Sequence, residues 1–599
     1  MSGNFSRVIV ADFEYEVRGG DLPSVLCMVA YELNENLQHV RTIRKWRGEF
    51  DKASPFDIGD DTLFVAYSAC AEMTCFDVLG WQHPVHIFDQ HTAYLAATNV
   101  LLPRDDTQKR PKKDLASACR AYGLEGWERI DKGSIAADIG NGLWQNYGSA
   151  TVFEYCEEDV RMSTALLRAQ LHRHGDMPAA DVPRVLHWSN YSAKVVARIQ
   201  ATGMPIDMRL WNLVQENKAA VVRELLRRHD PSSGSEDPIY TPEGEWSYVR
   251  FENWLVGTGV PAWPRLDSGR LDVSGDAFKL MYHHPGIESL HALRDSLGVI
   301  VKAKLPIGAD GRNRPSLFPF CTATGRNAHS RSLYNAHASV RSFMKFPPDK
   351  IGAYLDWRTQ EVGVAATMSG DPALIEAYRS GDVYHALARL CGLTEEPDPV
   401  RWKRENQEAR NRMKSLQLGI NYGMGVPSLA RGLNRHPLIA SGIIERHRRE
   451  YPRYWEWRDH QALSAKLHRG TESIFGWPLR ITTSPNVRTL YNFPMQSGGA
   501  EMLRLAAWRL HQAGLKTCML IHDGVLLELN SNEELEHAKE IMVGAGYDVC
   551  PGLRIDAEPD QLLTNGARYR DKRPMAKAMW KTMMSALQAV GALPEGELP

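Results

Sequence analysis

The stretch Arg410-Asn411-Arg412-Met413-Lys414-Ser415-Leu416-Gln417-Leu418-Gly419-Ile420-Asn421-Tyr422-Gly423 (410–423, RNRMKSLQLGINYG) decides the reading of this chain. Arg410, Lys414, Leu418 and Tyr422 recur every four residues. At about 3.6 residues per helical turn such a row drifts slowly round the axis and forms one stripe. Its two cations stand toward the N-terminal end, where free backbone N–H groups and the helix dipole already favour anions. An apolar residue and a phenol follow, and Gly423 and Gly425 loosen the exit. Cations at one end of a stripe and a flat ring at the other suit a nucleotide lying along a helix. An amphipathic helix with solvated Arg and Lys has the same spacing. Metal-binding carboxylates and a template surface elsewhere in the chain separate the two.

Composition leaves both open. A chain of 599 residues suffices for several domains, at about 100–200 residues each. With 43% hydrophobic and 24% charged residues it is an ordinary globular protein. No window nears the ~18 uninterrupted apolar residues of a membrane span. The N-terminus MSGNFSR has no apolar signal core, and the nine cysteines show no C-x-x-C or other metal spacing. Free thiols in a reducing compartment fit, so the chain reads as intracellular. A formal net charge of -1 gives no global argument for nucleic acid. That partner needs local basic surface offset by acidic clusters elsewhere.

The N-terminal 185 residues supply carboxylates. Arg7 to Ala11 (RVIVA) is predicted as a buried strand running into Asp12-Phe13-Glu14, and Asp12 and Glu14 share a strand face. Paired carboxylates repel unless a cation sits between them, as at a divalent metal site; an exposed acidic strand end has the same letters. A second strand, Leu63 to Ala66 (LFVA), places Glu72 at the head of a helix. Tyr155 and Asp159, four apart, share a face where another amphipathic helix opens. In the order D-x-E, acid, Y-x3-D, these residues resemble the DEDD-type 3′–5′ exonucleases of the tyrosine branch. The resemblance implies that Asp12, Glu14, Glu72 and Asp159 hold two magnesium ions for phosphodiester hydrolysis, with Tyr155 orienting the water. Two residues depart from that family: Glu72 stands where aspartate is usual, and Ser68 where asparagine is. A longer carboxylate still reaches a metal. The basic, Pro-broken stretch 104–114 (RDDTQKRPKKD) reads as a solvated loop or a strand-guiding patch, and 177–183 (MPAADVP) as a linker.

Further on, residues 185–207 read as a long amphipathic helix ended by Gly203 and Pro205, and 229–245 as loop. KAAVVRELLRR grips a duplex backbone or serves as a connector. A Thr322-Ala323-Thr324-Gly325-Arg326 turn precedes Arg341-Ser342-Phe343. Ile351 to Leu355 (IGAYL) is a buried strand ending at Asp356, with Glu361 five residues on where the pattern turns helical. CMLIHD (518–523) ends in His522-Asp523, and VLLEL follows as hairpin partner with Gly524 as turn residue. Two strands delivering Asp356 and Asp523 to one sheet edge can hold two metals ~3.5–4 Å apart for in-line phosphoryl transfer. Arg488, Asn492 and Gln496 recur every four residues, a polar stripe fit for a groove.

Taken together, DWRTQE, R-x3-K-x3-L-x3-YG, R-x3-N-x-P-x-Q and HDG stand in the order of motifs A, B and C of the family A DNA polymerases, behind the exonuclease motifs. The resemblance covers nearly the whole chain. It implies an α/β multi-domain fold: an RNase H-like exonuclease domain (1–185) followed by a right-hand polymerase. The thumb would span 186–300, the palm 301–375 and 480–565, the fingers 376–479, and a C-terminal helical extension 566–599. Asp356 and Asp523 would carry two magnesium ions, with Mn2+ able to substitute. Arg410 and Lys414 would contact the triphosphate of an incoming dNTP, Leu418 and Tyr422 would bracket base and sugar, and Glu361 would close the pocket against a ribose 2′-OH. Arg326, Arg488, Asn492, Gln496 and His522 would contact primer–template DNA, testing pairing geometry through minor-groove acceptors.

Three residues depart from the polymerase pattern: Gly524 where glutamate is common, Leu418 where an aromatic is usual, and Trp357 where tyrosine is common. Basic runs with interleaved aromatics (RWKRENQEARNRMK, ERHRREYPRYWEWR) suit backbone contact and stacking of an unpaired template base. The chain opens on the exonuclease strand, an economy that looks phage-like, and a monomer in the cytoplasm of a bacterial host is expected. PMAKAMWKTMMSALQAV (574–590) is predicted as an amphipathic helix with Met579, Met583 and Leu587 on its apolar face, docking on the body or on a replisome partner. The alternative function is a 3′–5′ exonuclease with a weak or inactive polymerase-like DNA-binding region. A single-subunit RNA polymerase is disfavoured by Glu361, and a non-catalytic scaffold by the retained aspartates.

Overall fold

The first apolar run extends beyond its predicted end: strand β1 is Arg7–Glu16, so Asp12 and Glu14 lie inside it. Backbone pairing with the neighbouring strand continues through both residues, which the apolar run alone could not signal. β1 is central in a five-stranded sheet of order β3-β2-β1-β4-β5, with β2 Ser24–Asn34, β3 His39–Trp46, β4 Thr62–Ala66 and β5 His86–Asp89. It pairs antiparallel with β2 and parallel with β4. The helix Gly148–Gln170 lies against β1 and β2, and Cys70–Leu79 also packs on them. Helices on both faces explain why Val8 to Ala11 are all buried instead of alternating. The 148–170 helix begins two turns before Tyr155; its N-cap makes no side-chain bond, so the sequence carried no start signal. The computed structural model describes residues 5–101, 112–126, 132–260, 263–266, 268–302, 304–334, 338–433, 435–481 and 485–594. Most of the basic 104–114 stretch lies outside them.

The predicted 185–207 helix is a rod of three pieces: Val182–Ser189, a π-helical turn Asn190–Val195, and Val196–Thr202, ended by Gly203 at φ 61. The π turn aims Ser192 Oγ at buried Asp89, donating at 2.7 Å, while Lys194 Nζ donates to the Val85 carbonyl at 2.9 Å. Short ladders follow: β7 Met204–Pro205 with β8 Arg312–Asn313, and β9 Ser316–Phe318 with β10 Ala328–Ser330. Helices between 208 and 297 form a second core together with the C-terminal helix Pro574–Ala589. Met579, Met583 and Leu587 are fully buried there, against Lys218–His229 and Ile287–Leu297. The apolar face thus docks on the body of the chain, the first of the two readings its sequence allows. In Lys218–His229, Val221, Val222 and Leu225 face the core, and Arg227 and Arg228 both bond Glu224.

The sheet that carries the second acidic pair has the order β14-β15-β11-β16, antiparallel throughout. Its strands are β11 Ile351–Trp357, β14 Lys516–Ile521, β15 Gly524–Leu529 and β16 Ala557–Leu563. The turn between β14 and β15 is His522-Asp523, with His522 in the left-handed region at φ 54. Gly524 is not the turn residue: it is the first residue of β15, directly opposite Asp356. Helices from Gln360–Ser369 to Pro452–Leu467 follow β11, and the long helix Val487–Gln512 returns the chain to β14. Strands β12 Gly470–Glu472 and β13 Pro478–Ile481 lie between, and β13 pairs parallel with β6 Val100–Leu101, joining the N-terminal region to the later half.

Most aromatics of ERHRREYPRYWEWR face inward, and Trp457 alone of the four is half-buried. Tyr451, Tyr454 and Trp455 are buried around His447, and the Arg458 guanidinium lies 3.9 Å from the Trp455 ring and 4.3 Å from Tyr491. Their spacing puts them on the inward face of two helices, where large rings fill a core. All nine cysteines are free thiols, and among the described residues no helix is long and apolar enough to cross a membrane.

Candidate active sites

Strand alternation brings Asp12 and Glu14 to one face of β1. The 148–170 helix lays Tyr155 and Asp159 over it, and the first turn of the 70–79 helix adds Glu72. Carboxylate oxygens of Asp12 and Glu14 and the Sγ of Cys156 lie within 4.8 Å of one another. The Cys156 thiol also donates to the Asp12 carbonyl at 3.3 Å. Glu72 is 3% exposed and its Oε2 has no hydrogen-bond partner. Burial first, and then the charge of Asp12, pushes the carboxyls of Glu14 and Glu72 above the usual range. Burial, followed by the charges of Asp159 and Glu14, raises the Tyr155 hydroxyl and keeps it protonated. All five predicted groups thus meet in one place. Cys156 falls among the unspecified residues of the Y-x3-D motif, and its sequence context carries no metal-ligand spacing. Ser68 stands in the left-handed region at φ 65, its N–H donating to Asp89 Oδ1 at 3.1 Å.

The second site is a cleft of about 400 Å³ between the β11–β15 sheet edge and the helix Gln407–Asn421. Asp356, Glu361, Arg410, Lys414, Leu418, Tyr422 and Asp523, all predicted, line it. Burial and then the charge of Asp523 push the Asp356 carboxyl up to about 8, against the opposing pull of Lys414. Burial also raises Asp523, with Arg326 opposing. Asp356 Oδ1 is buried without a hydrogen-bond partner. Glu361, in the first turn of Gln360–Ser369, accepts from Arg326 Nη2 at 2.7 Å and from the Tyr422 hydroxyl. Gln496 reaches the same hydroxyl. Just ahead of this helix Thr359 is held at φ 55, an unfavourable conformation for a β-branched residue.

The helix of the deciding stretch starts at Gln407, one turn before Arg410, whose N–H already bonds the Asn406 carbonyl at 2.9 Å. Arg410 and Lys414 therefore act through their own charge more than through the helix N-terminus, whose field fades within the first turn. Arg410 Nε donates to Asp382 Oδ2 at 2.5 Å, and its guanidinium lies 5.0 Å from the Tyr384 ring. Gly423 has φ 69, and a Cβ there would lie 2.7 Å from Tyr491 Cδ2, so the glycine is required twice over. Arg488 flanks the same spot, and Asn492 Oδ1 is buried without a partner. His522 sits in the β14–β15 turn beside Asp523. Trp357 points to the other face of β11, where Nε1 donates to the Met542 carbonyl at 3.0 Å. The indole anchors the strand to the helix Asn532–Val549.

Sequence inspection missed Tyr384, Lys403, Glu558 and Asp560, which also line the cleft, and Asp382, which holds Arg410. Asp382 carried a visible N-cap signal before VYHALARL, but nothing local tied it to residue 410. Glu558 lies directly across from Asp356 in the β11–β16 register, a pairing that only the assembled sheet reveals.

A sheet edge with two crowded aspartates, faced by two cations four residues apart, is chemically able to accommodate a cation and phosphate groups. Comparison with known proteins sharpens this. Residues 309–545 match the family model of DNA polymerase family A, a span that includes Asp356, the 407–421 helix and Asp523. That part of the chain is similar to family A DNA polymerases. The chain is similar to the thermostable DNA polymerase I of Thermus thermophilus, 24% identical over 394 residues, covering 59% of this chain and 45% of that protein. DNA polymerase I of Aquifex aeolicus is 24% identical over 269 residues, 42% of this chain and 45% of that protein. The chain thus spans less than half the length of these relatives. Among solved structures, the POL domain of Pol1 from M. smegmatis, in complex with DNA primer-template and dNTP, has the same fold at TM-score 0.68 and 16% identity. That likeness takes in 94% of this chain and 96% of the other.

Proposed function

We propose that this chain extends a primer on a DNA template from dNTPs by two-metal-ion nucleotidyl transfer, and that its N-terminal region removes nucleotides from 3′ ends. The layout that goes with this is the one expected from sequence: exonuclease over 1–185, then thumb, palm and fingers. The polymerase reading is carried by the convergence of Asp356, Asp523, Glu361, Arg410, Lys414, Leu418 and Tyr422 on one cleft.

Both acidic sites fit divalent metal. Each has crowded carboxylates with raised pKa and one buried carboxylate oxygen lacking a partner, Asp356 Oδ1 in one and Glu72 Oε2 in the other. Asp356 and Asp523 would hold magnesium in the cleft, and Asp12, Glu14, Glu72 and Asp159 would hold it in the N-terminal cluster. Bound magnesium would neutralise phosphate charge and ease deprotonation of the attacking oxygen. The chain's own residues do the rest. Lys414 and Arg410 offset charge building on the triphosphate, with Arg410 oriented by Asp382. Glu361, bridged to Tyr422 and Arg326, fills the place of a 2′-OH, so an rNTP must break a part-buried hydrogen bond to enter. Arg326, Arg488, Asn492 and Gln496 meet the primer–template duplex, while Tyr155 holds a water for the shortening reaction. Extension of a labelled primer with magnesium and dNTPs tests the reading; a wild type that shortens the primer but never extends it overturns the polymerase half.

That outcome would favour the second reading, an exonuclease with a polymerase-like DNA-binding region. The observation behind it is Gly524, where the family resemblance leads one to expect an acid.

A further inference from the structure

Gly524 is bare for a reason that lies one strand away. It opens β15 directly opposite Asp356, and Tyr354 shares the Asp356 face of β11 two residues earlier. A Cβ built on Gly524 would lie 2.3 Å from Tyr354 Oη, 2.5 Å from Cζ and 2.7 Å from Cε2. Contacts that short do not occur between real atoms, and the ring cannot easily yield. It is 7% exposed, lies 5.7 Å from the Tyr334 ring, and packs in the core with Cys518, Met519 and Leu526. The hydroxyl points at the active-site hairpin, donating to the carbonyl of Ile521, at 3.4 Å, immediately before the His522-Asp523 turn.

We infer that Tyr354 is a positioning residue of the nucleotidyl-transfer centre: its ring occupies the side-chain space of position 524, and its hydroxyl braces the turn that presents Asp523. The two residues form an exchangeable unit. Either a tyrosine at 354 faces glycine at 524, or a small residue at 354 makes room for a side chain at 524. The site thereby trades a charged group beside Asp356 for a neutral donor. This inference rests on the polymerase reading, and wild-type extension with dNTPs checks that reading separately before any variant is compared.

The test uses the full chain and four variants: Tyr354→Phe, Tyr354→Ala, Gly524→Glu and the double Tyr354→Ala/Gly524→Glu. Residues in direct contact couple, so the double should extend primers at least about tenfold faster than Gly524→Glu alone. Tyr354→Phe keeps the ring and loses only the hydroxyl; kcat should fall about three- to tenfold, with KM for dNTP unchanged. A purely structural ring would not move a third readout, Mn2+ binding followed by electron paramagnetic resonance without nucleotide. Tyr354→Phe should bind Mn2+ about two- to fivefold more weakly at an unchanged Tm. The inference is overturned if Tyr354→Phe matches wild type in kcat and Mn2+ affinity, or if the double is no faster than Gly524→Glu. Should Gly524→Glu fail to fold, folding of the double at near wild-type Tm supports the exchange, and its failure overturns it.

Discussion

The two acidic sites of this chain are built alike and balanced differently. Each gathers carboxylates at a central strand, with a helix facing them, although the cleft takes Asp523 from the β14–β15 turn while the N-terminal cluster has Asp12 and Glu14 on one strand; burial raises carboxyl pKa values in both. In the cleft, Lys414 opposes the rise at Asp356 and Arg326 the rise at Asp523. In the N-terminal cluster, among the described residues, the charges that act most on Glu14 and Glu72 belong to other acids and a cysteine. The difference fits the proposed substrates: a triphosphate would bring several negative charges and call for protein cations as well as metal, whereas a single phosphodiester and a water would leave more of the work to the metal.

The comparison breaks most sharply through the acids themselves. Replacing Asp356 or Asp523 by alanine should lower extension by at least about a thousandfold in a gel assay while shortening persists, because each would remove a proposed metal ligand. Replacing a cation should cost less. For Lys414→Ala we expect about a hundredfold loss in kcat/KM for dNTP, with exonuclease rate unchanged, since one preorganised charge is lost. Glu361→Ala should relax sugar choice, raising rNTP over dNTP incorporation about tenfold in single-turnover competition; unchanged selectivity would remove Glu361 from that role.

The smallest effect concerns stability. A carboxyl with a raised folded-state pKa keeps a proton that the unfolded chain has released. Its stabilising contribution is whole below the ordinary carboxylate pKa of about 4 and declines as pH rises toward the folded value, about 8 for Asp356. Metal-free protein should therefore melt lower at pH 8 than at pH 6, and added Mg2+ should raise Tm more at the higher pH. Glu72→Gln, which leaves no charge to bury, should raise the metal-free Tm at pH 8 by about 2 °C or more in calorimetry. A fall instead would mean that the unpartnered Glu72 oxygen is compensated in some other way.

Much of this was legible in the letters. The four-residue stripe, the D-x-E strand and the two apolar runs ending in aspartate are local patterns, and local patterns encode which face a side chain takes. What was not legible depends on strands that meet from afar. Gly524 reads as a turn residue until β11 is laid beside β15 and Tyr354 is seen to fill its place. Glu558 is an exposed acid, and only the β11–β16 register shows that it stands across from Asp356. The aromatics of 451–455 look like stacking groups, yet periodicity cannot tell a ring facing DNA from one facing a core. Helix starts at 148 and 407 were missed because neither N-cap offers a side-chain bond.

The measurement that bears most directly on the central claim is a labelled-primer assay on a DNA template with magnesium, run with and without dNTPs for wild type, Asp523→Ala and Asp12→Ala. Extension lost only in Asp523→Ala, and shortening lost only in Asp12→Ala, is the predicted result. A wild type that does not extend, or a single substitution that abolishes both reactions in folded protein, would contradict two separate chemistries at the two sites.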